Sequence, residues 1–577
     1  MSKGTLSKTA WRLMKSYWKS EEKWRARGLL AGVIALSLGQ VYMLVMLNQW
    51  NNVFYNALQE RDFEVFWSLI GQFSLIAFGY IIMAVYAIYV KQILEIKWRT
   101  WMTNRYLAEW LHSQTYYRLQ VTGGDGVDNP DQRISDDIGM FVNLTLSLFI
   151  GLLKQATTLV AFVFILWQLS GALEIPVGDT VLSVPGYMVF VTLLYSVVGT
   201  WLAHKVGRSL IGLNYDQQRY EADFRFSMVR VRENSESIAF YGGEGPEMQN
   251  FQERFGMVIR NFWALMKRTK LLNFYVNGYA QLAVIVPILM SAPKYFAGDM
   301  QLGGFMQTLS AFGRVQDALS YFVETYDTIA QYVAVIRRLG GFTSHMEAAE
   351  SMETSFGFAS RDNINGLVLQ DVQVELPDGR TLLERLSLAV PAGKYLLVSG
   401  NSGCGKSTLL RALAGIWPYG CGIVSLPSGW RTMFLPQRPY LPLGSLRRAI
   451  YYPQPVPEKE TADLRSLLER FGIGSLIERL DEVDDWSRIL SLGEQQRLAF
   501  IRILLFKPDM VFLDESTSAM DEQREAEAYD ILKELLPEMA VVSVGHRSTL
   551  LKKHDKQLQL VNGSWQLSAL NEQLPRG

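Results

Sequence analysis

Long apolar runs alternate with charged stretches over the first 325 positions. Those near 28–47, 68–90, 144–168, 186–203 and 272–292 each reach about 20 residues, the length a helix needs to cross a bilayer's hydrocarbon core. A soluble core has no use for runs that long, so the pattern predicts membrane-spanning helices. A sixth stretch, 302–325, is weaker, because Arg314, Asp317 and Glu324 interrupt Phe305, Leu309, Phe312, Leu319 and Phe322. Beyond about 360 the pattern changes. Val372, Val374 and Leu376 alternate with polar residues as in a half-buried strand, and Lys394-Tyr-Leu-Leu-Val-Ser399 reads as a short apolar strand.

Charge fixes the number of spans. Lys3, Lys8, Arg12, Lys15, Lys19, Lys23, Arg25 and Arg27 precede the first run, which by the positive-inside rule keeps the N-terminus cytoplasmic. The connections 91–143 and 204–271 are also basic, whereas 48–67 has one Arg and 169–185 no basic residue, so these two face outward. A cytoplasmic C-terminal region, which the nucleotide motifs below require, makes the span count even. The stretch 302–325 is then the sixth helix, with its polar residues turned away from lipid. Arg314 and Asp317 either form a structural pair on a helix leaving the membrane or line a translocation path. Lys154 reads as a snorkelling side chain, and Trp11 to Trp24 as an interfacial segment.

The two basic connections exceed ordinary helix-to-helix loops of about 2–8 residues. The spans are therefore expected to continue as helices into the cytoplasm, tipped by Asn129-Pro-Asp-Gln-Arg133 and Tyr241-Gly-Gly-Glu-Gly-Pro246, as levers against a second domain. The expected organisation is an N-terminal cytoplasmic or interfacial segment 1–27, a six-helix domain 28–340, a linker 341–360 and a nucleotide-binding domain 361–577.

The 577 residues include 56 basic and 56 acidic ones and only 19% charged residues. Such low charge argues against disorder, and a net charge of zero gives no footprint for nucleic acid. Two cysteines, Cys404 and Cys421, are too few for a disulfide framework and fit a reducing compartment. No cleaved secretory signal is expected. His112, His204, His345 and His554 show no metal-ligand spacing.

Gly400-Asn401-Ser402-Gly403-Cys404-Gly405-Lys406-Ser407 directly follows the second strand. It fits the phosphate-loop pattern: glycines let backbone N–H groups approach phosphate, Lys406 reaches the β/γ oxygens and Ser407 a magnesium ion. A helix from Thr408 to Gly415 then aims its positive end at the phosphates. Met510-Val-Phe-Leu-Asp514-Glu515 is an apolar strand ending in two carboxylates. Asp514 would hold magnesium, and Glu515 would orient or deprotonate an attacking water.

These motifs, with four more in order, resemble the ATP-binding cassette superfamily over roughly 360–577. Pro436-Gln437 is similar to its Q-loop, Leu490-Ser491-Leu492-Gly493-Glu494-Gln-Gln-Arg497 to its signature, Ser516 to Asp521 to its D-loop, and Val544-Gly-His546-Arg547 to its switch region. The resemblance implies that Gln437 couples magnesium and water to the membrane domain, that His546 touches the γ-phosphate, and that Ser491 and Gly493 clamp the ATP of an opposite subunit. One chain supplies one cassette, so a half-transporter working as a homodimer with two composite sites is implied. Two residues depart from the superfamily pattern. Leu492 stands where Gly is usual, and Leu376 where an aromatic ring often stacks on adenine.

Asn234-Ser-Glu-Ser-Ile-Ala-Phe-Tyr-Gly-Gly-Glu244, Asn129-Pro-Asp-Gln132, Pro436-Gln-Arg-Pro-Tyr440 and Gly545-His-Arg-Ser-Thr549 look like motifs of subfamily D half-transporters. Bacterial members with this domain order are similar to SbmA/BacA-like peptide-uptake permeases fused to a cassette. The resemblance implies an exporter-type α-helical membrane domain joined to an α/β phosphate-loop domain, ATP and Mg2+ as ligands, and transport by alternating access. It places the protein in a bacterial inner membrane, in contact with lipid, with both termini cytoplasmic. Gln40, Gln72, Asn277 and Gln281 within the spans favour an amphipathic or polar cargo such as cobalamin or a peptide. The alternatives are an acyl or lipid exporter and, in another class, an ATP-gated channel or regulatory subunit.

Overall fold

The computed structural model describes residues 3–122, 129–177, 180–352, 356–401, 403–458, 462–561 and 564–570. The chain forms two compact units, residues 1–108 with 128–344, and residues 109–127 with 345–577.

Helices build the first unit and its continuations: α1 (Lys3–Trp18), α2 (Lys23–Glu60) and α3 (Phe63–Leu111), α4 (Thr115–Thr122) and α5 (Ile138–Ser170), α6 (Tyr187–Glu233), α7 (Ser235–Tyr241) and α8 (Glu244–Phe296), then α9 (Leu302–Glu324) and α10 (Tyr326–Glu350). Helices α2, α3, α5, α6 and α8 are long and apolar enough to cross a membrane. At 53 residues, α8 reaches roughly 80 Å, far beyond the ~30 Å hydrocarbon layer. The charged sixth stretch forms α9, which packs against α2, α5, α6 and α8. It buries Ala311, Phe312 and Val315 with Phe162, Leu166 and Met188, which makes it the sixth helix of the bundle.

Amides set the register of α9 against α2. Asn48 Nδ2 donates to the Gln307 carbonyl at 3.1 Å, Gln307 Nε2 returns a bond to Asn48 Oδ1 at 3.1 Å, and Asn52 Nδ2 donates to Gln307 Oε1 at 2.6 Å. Between apolar helices in lipid such bonds specify what apolar contact alone leaves loose. Lys154 does not snorkel. Its ammonium donates to Gln40 Oε1 at 2.8 Å, and Gln40 itself is buried.

The opening segment is helical, with Leu13 and Tyr17 buried and Tyr17 stacked on Trp98 at 5.3 Å, while Trp11 and Trp24 stay exposed. The connection after α5 is a hairpin of β1 (Ala172–Val177) and β2 (Thr180–Pro185). It is closed by Gly171 and Gly186 at φ of 62° and 65°. A Cβ on Gly186 would meet the Trp167 ring at 2.4 Å, so no larger residue fits.

Three expectations change. The 91–143 connection is not one helical protrusion tipped at Asn129. It breaks at Ser113 and Gln114, whose φ values are 48° and 59°, and the short helix that follows, α4, belongs to the second unit. Asn129 to Arg133 instead opens the climb into α5 through a π-helical turn, Arg133–Asp137. The expected linker 341–360 is helical to Glu350 and extended again from Phe356. Gly340 signals close packing rather than a break, since a Cβ there would lie 2.5 Å from Thr9. The second tip is as expected a turn, but with α7 in front of it. Gly242 at φ 60° ends α7, leaving Phe240 and Tyr241 81% and 87% exposed.

The second unit carries two sheets. One is built from β3 (Phe356–Ser360), β4 (Gly366–Glu375), β5 (Thr381–Pro391) and β7 (Gly420–Leu426) in the order β3-β7-β4-β5. The other contains β6 (Tyr395–Ser399), β8 (Thr432–Leu435), β9 (Met510–Asp514), β10 (Ala540–Val544), β11 (Lys556–Val561) and β12 (Ser564–Ala569) in the order β12-β11-β6-β10-β9-β8. All its neighbours are parallel except β11 and β12. Every residue of β6 and β10 is buried, as continuous apolar runs are when both faces of a parallel sheet are covered. Phe434 and Phe512 stack across β8 and β9 at 4.2 Å.

Candidate active site

Four adjacent parallel strands, β6, β10, β9 and β8, bring their C-terminal ends together, the edge at which such sheets bind ligands. The phosphate-loop residues follow β6, Gln437 follows β8, Asp514 and Glu515 close β9, and His546 follows β10.

Gly403 and Gly405 take φ of 80° and 99°, values that favour glycine. A Cβ on Gly405 would lie 2.6 Å from Leu382, while Gly403 faces open space. The loop therefore curls with its backbone accessible and leads into α11 (Lys406–Leu413), which starts two residues before the expected Thr408. Lys406 is buried and donates to the carbonyls of Gly400 at 2.9 Å and Asn401 at 3.0 Å. Cys404 is its sulfur neighbour at 4.0 Å. Ser402 lies outside the described residues.

Ser407 Oγ donates to Asp514 Oδ1 at 2.9 Å. Burial pushes the Asp514 carboxyl up and the Ser407 bond opposes it, so an oxygen-preferring dication has two hard ligands side by side that gain from its charge. Glu515 is held at both oxygens. Gln437 Nε2 donates to Oε2 at 3.1 Å, and His546 Nε2 lies 3.1 Å from Oε1. Its φ of 47° is the kind of local strain that persists where surroundings over-determine it. Here the Glu515 N–H bonds the Val544 carbonyl at 3.1 Å.

Ser491 and Gly493 stand elsewhere. Ser491 caps α12 (Leu492–Phe506) in a reciprocal box with Glu494, and a Cβ on Gly493 would approach the Ala519 carbonyl at 2.9 Å. Among the described residues neither touches the loop 400–408. Leu492 sits half-buried in the first turn of α12. Leu376 opens the β4–β5 turn, its N–H bonded to the Arg380 carbonyl, and packs on the sheet core.

Three contributors escaped the sequence reading. Gln496 is fully buried. Its Nε2 donates to the Gln437 carbonyl at 3.0 Å, and its Oε1 accepts from the Ala519 N–H at 3.0 Å. Glu525 of α13 (Glu522–Leu535) accepts from Thr517 and, at 2.6 Å, from Thr549, linking the loops after β9 and β10. Helix α4 joins this unit through Val121, which packs on its core, and Tyr117. Burial pushes the Tyr117 phenol up and Arg411 of α11 draws it down, which places α4 beside the phosphate-loop helix.

Two family models match: "ABC transporter transmembrane region 2" over residues 13–296 and "ABC transporter" over 383–518. The chain is 34% identical to the Escherichia coli inner membrane ABC transporter ATP-binding protein YddA, over 93% of this chain and 94% of that one. The chain belongs to the ABC transporters. This ABC transporter is also similar to the Homo sapiens lysosomal cobalamin transporter ABCD4, at 28% identity over 93% and 92% of the two chains. Its fold matches that of a bacterial Atm1-family ABC exporter with ATP bound, with a TM-score of 0.71 and 17% identity over 95% and 97%. It is a multi-pass membrane half-transporter whose ATPase, using ATP with Mg2+, is coupled to transport. The Ser407–Asp514 pair and the glycine cradle around Lys406 fit Mg-ATP, and the metal would neutralise phosphate charge there.

Proposed function

We propose that this ABC transporter works as a homodimer that moves an amphipathic or polar solute across a bacterial inner membrane by alternating access, with cobalamin or peptide-like uptake favoured. The observation that carries the reading is Glu515, held on one oxygen by Gln437 and on the other by His546, in a chain that also builds a membrane bundle. Glu515 is the general base, positioned by both neighbours. Lys406 and the loop 400–408 bind the phosphates, Ser407, Gln437 and Asp514 hold the metal, and Ser491 and Gly493 serve the ATP of the second copy. Cobalamin is favoured by the likeness to ABCD4, and the inner membrane by the likeness to YddA. The basic N-terminal segment supports cytoplasmic termini.

A second reading, acyl or lipid cargo, is favoured by one observation. A groove of about 610 Å3 between α6 and α8 is lined by Leu194, Val198, Phe274 and Leu282. The hydroxyls of its rim tyrosines are spent on backbone carbonyls, as in Tyr275 on Gly199, so the groove offers mostly apolar surface.

The test is accumulation of labelled cobalamin and a labelled proline-rich peptide in cells carrying wild type or Glu515→Gln. Concentration above the medium by wild type alone is expected, with hydrolysis by Glu515→Gln lower by roughly 10²–10⁴-fold, the contribution of a general base. If neither label accumulates while both proteins reach the membrane, acyl or lipid cargo becomes the better reading.

A further inference from the structure

A membrane helix that faces lipid exposes apolar side chains. The bundle obeys this at Leu75 of α3, Val160 of α5 and Phe274 of α8, exposed by 79%, 73% and 74%. Helix α9 does the opposite. Among its described residues only Arg314, Asp317 and Glu324 are exposed, while Ala311, Phe312 and Val315 are packed into the bundle. Ionisable groups on the one open face of a spanning helix belong to a water-filled path, not to lipid.

The charges are not a structural pair. Arg314 and Asp317 stand one turn apart on the same face, yet neither forms a hydrogen bond or ion pair among the described residues, though they lie within electrostatic range of each other. Lys154 of α5 is also within electrostatic range of Arg314. Of its three ammonium protons one is taken by Gln40. The Tyr321 hydroxyl of α9 donates to the Leu148 carbonyl of α5 at 3.4 Å, and Phe312 and Val315 pack with Phe162, so Lys154 lies between these contacts and the two cations share one level of the bundle, with donors to spare. Asp317 and Glu324 follow along α9 within range of each other.

We propose that Arg314 and Lys154 form an anion-binding point in the solute path, taking a carboxylate or phosphate-ester group of the transported solute. This deepens the transporter reading and rests on it. The guanidinium offers a planar fork that fits either oxyanion, and Lys154 adds a second positive charge. Asp317 beside them disfavours solutes with a second anionic group and gives a cationic group a place.

The test uses the full-length protein in lipid nanodiscs, with ATP hydrolysis followed against octanoate, octyl phosphate and octanamide, which share a tail and differ in the head. Wild type is expected to respond to at least one of the two anions and not to the neutral amide, and the responding anion tells carboxylate from phosphate. Arg314→Gln is expected to raise the half-maximal concentration of that anion about 10- to 100-fold, the scale of one charged hydrogen bond. Arg314→Lys, which keeps the charge, should recover part of the response and so separates lost charge from lost folding. An equal response to the amide, no response to either anion, or wild-type concentrations in Arg314→Gln would overturn the proposal. Wild type that moves no solute against a gradient would instead remove the transporter reading, whatever the probes do.

Discussion

Gln496 carries no charge, yet it ties together the backbones after β8 and β9. Replacing it by Ala takes one partner from the Gln437 carbonyl and one from the Ala519 N–H, at a cost of about 0.5–1.5 kcal/mol for each bond lost. Because Gln437 holds Glu515, Gln496→Ala should lower kcat and leave KM for ATP near wild type, which steady-state hydrolysis would show. Equal kcat would mean that the two loops hold themselves. Lys406, Ser407, Asp514 and Glu515 were legible in the sequence because phosphate and metal chemistry needs those groups at fixed places beside a strand. Gln496 and Glu525 were not. A buried amide or a carboxylate that bonds loop hydroxyls works through position, and position is invisible until the strands are assembled.

At the scale of elements, a hydrogen-bond chain braces α13 against β10. Tyr529 donates to Ser543 Oγ at 2.9 Å, and Ser543 pairs with His554 Nε2 at 2.9 Å. His554 Nδ1 faces the Leu550 carbonyl at 2.7 Å. With His554 neutral and its proton on Nδ1 every donor of the chain meets an acceptor, and burial pushes its pKa down to about 4. A depressed histidine stabilises the fold fully above its unfolded value of about 6.5 and loses that contribution as pH falls toward the folded value, on the order of 2 kcal/mol by pH 5. Denaturant unfolding of the detergent-solubilised protein at pH 7.5 and 5 should show this loss. His554→Gln should flatten the difference, and an unchanged slope would assign it to other groups. The long helices were readable because apolar runs of spanning length have one outcome. The break before α4 was not, since Ser113 and Gln114 adopt left-handed backbone without a glycine to announce it.

On the whole-molecule scale, the separation of Ser491 and Gly493 from the loop 400–408 is what two copies facing each other would repair. If each ATP is shared between copies, Lys406→Ala and Ser491→Arg are each inactive alone but leave one intact composite site when they meet. Co-expression should then restore roughly a quarter of wild-type hydrolysis, because about half of randomly paired symmetric dimers are mixed and each holds one good site of two. No recovery in purified mixed dimers would assign each site to a single chain. The layer order, a helical membrane part before an α/β nucleotide part, was legible from residue patterns alone. The partition of the chain was not, because residues 109–127 leave one unit to join the other and apolar periodicity records which face is buried, not by whom.

Phe240 and Tyr241 also bear on assembly. They project from the α7 turn almost fully open, 81% and 87%, at the far end of helices that outreach the bilayer, where lipid does not cover them. If pairing of two copies covers this turn, a lone copy displays two aromatic rings to the folding machinery of the cell. Such a display marks a chain as unfinished. Orphan copies are then the ones that quality-control proteases find, and surplus synthesis should yield short-lived chains rather than a standing pool of monomers.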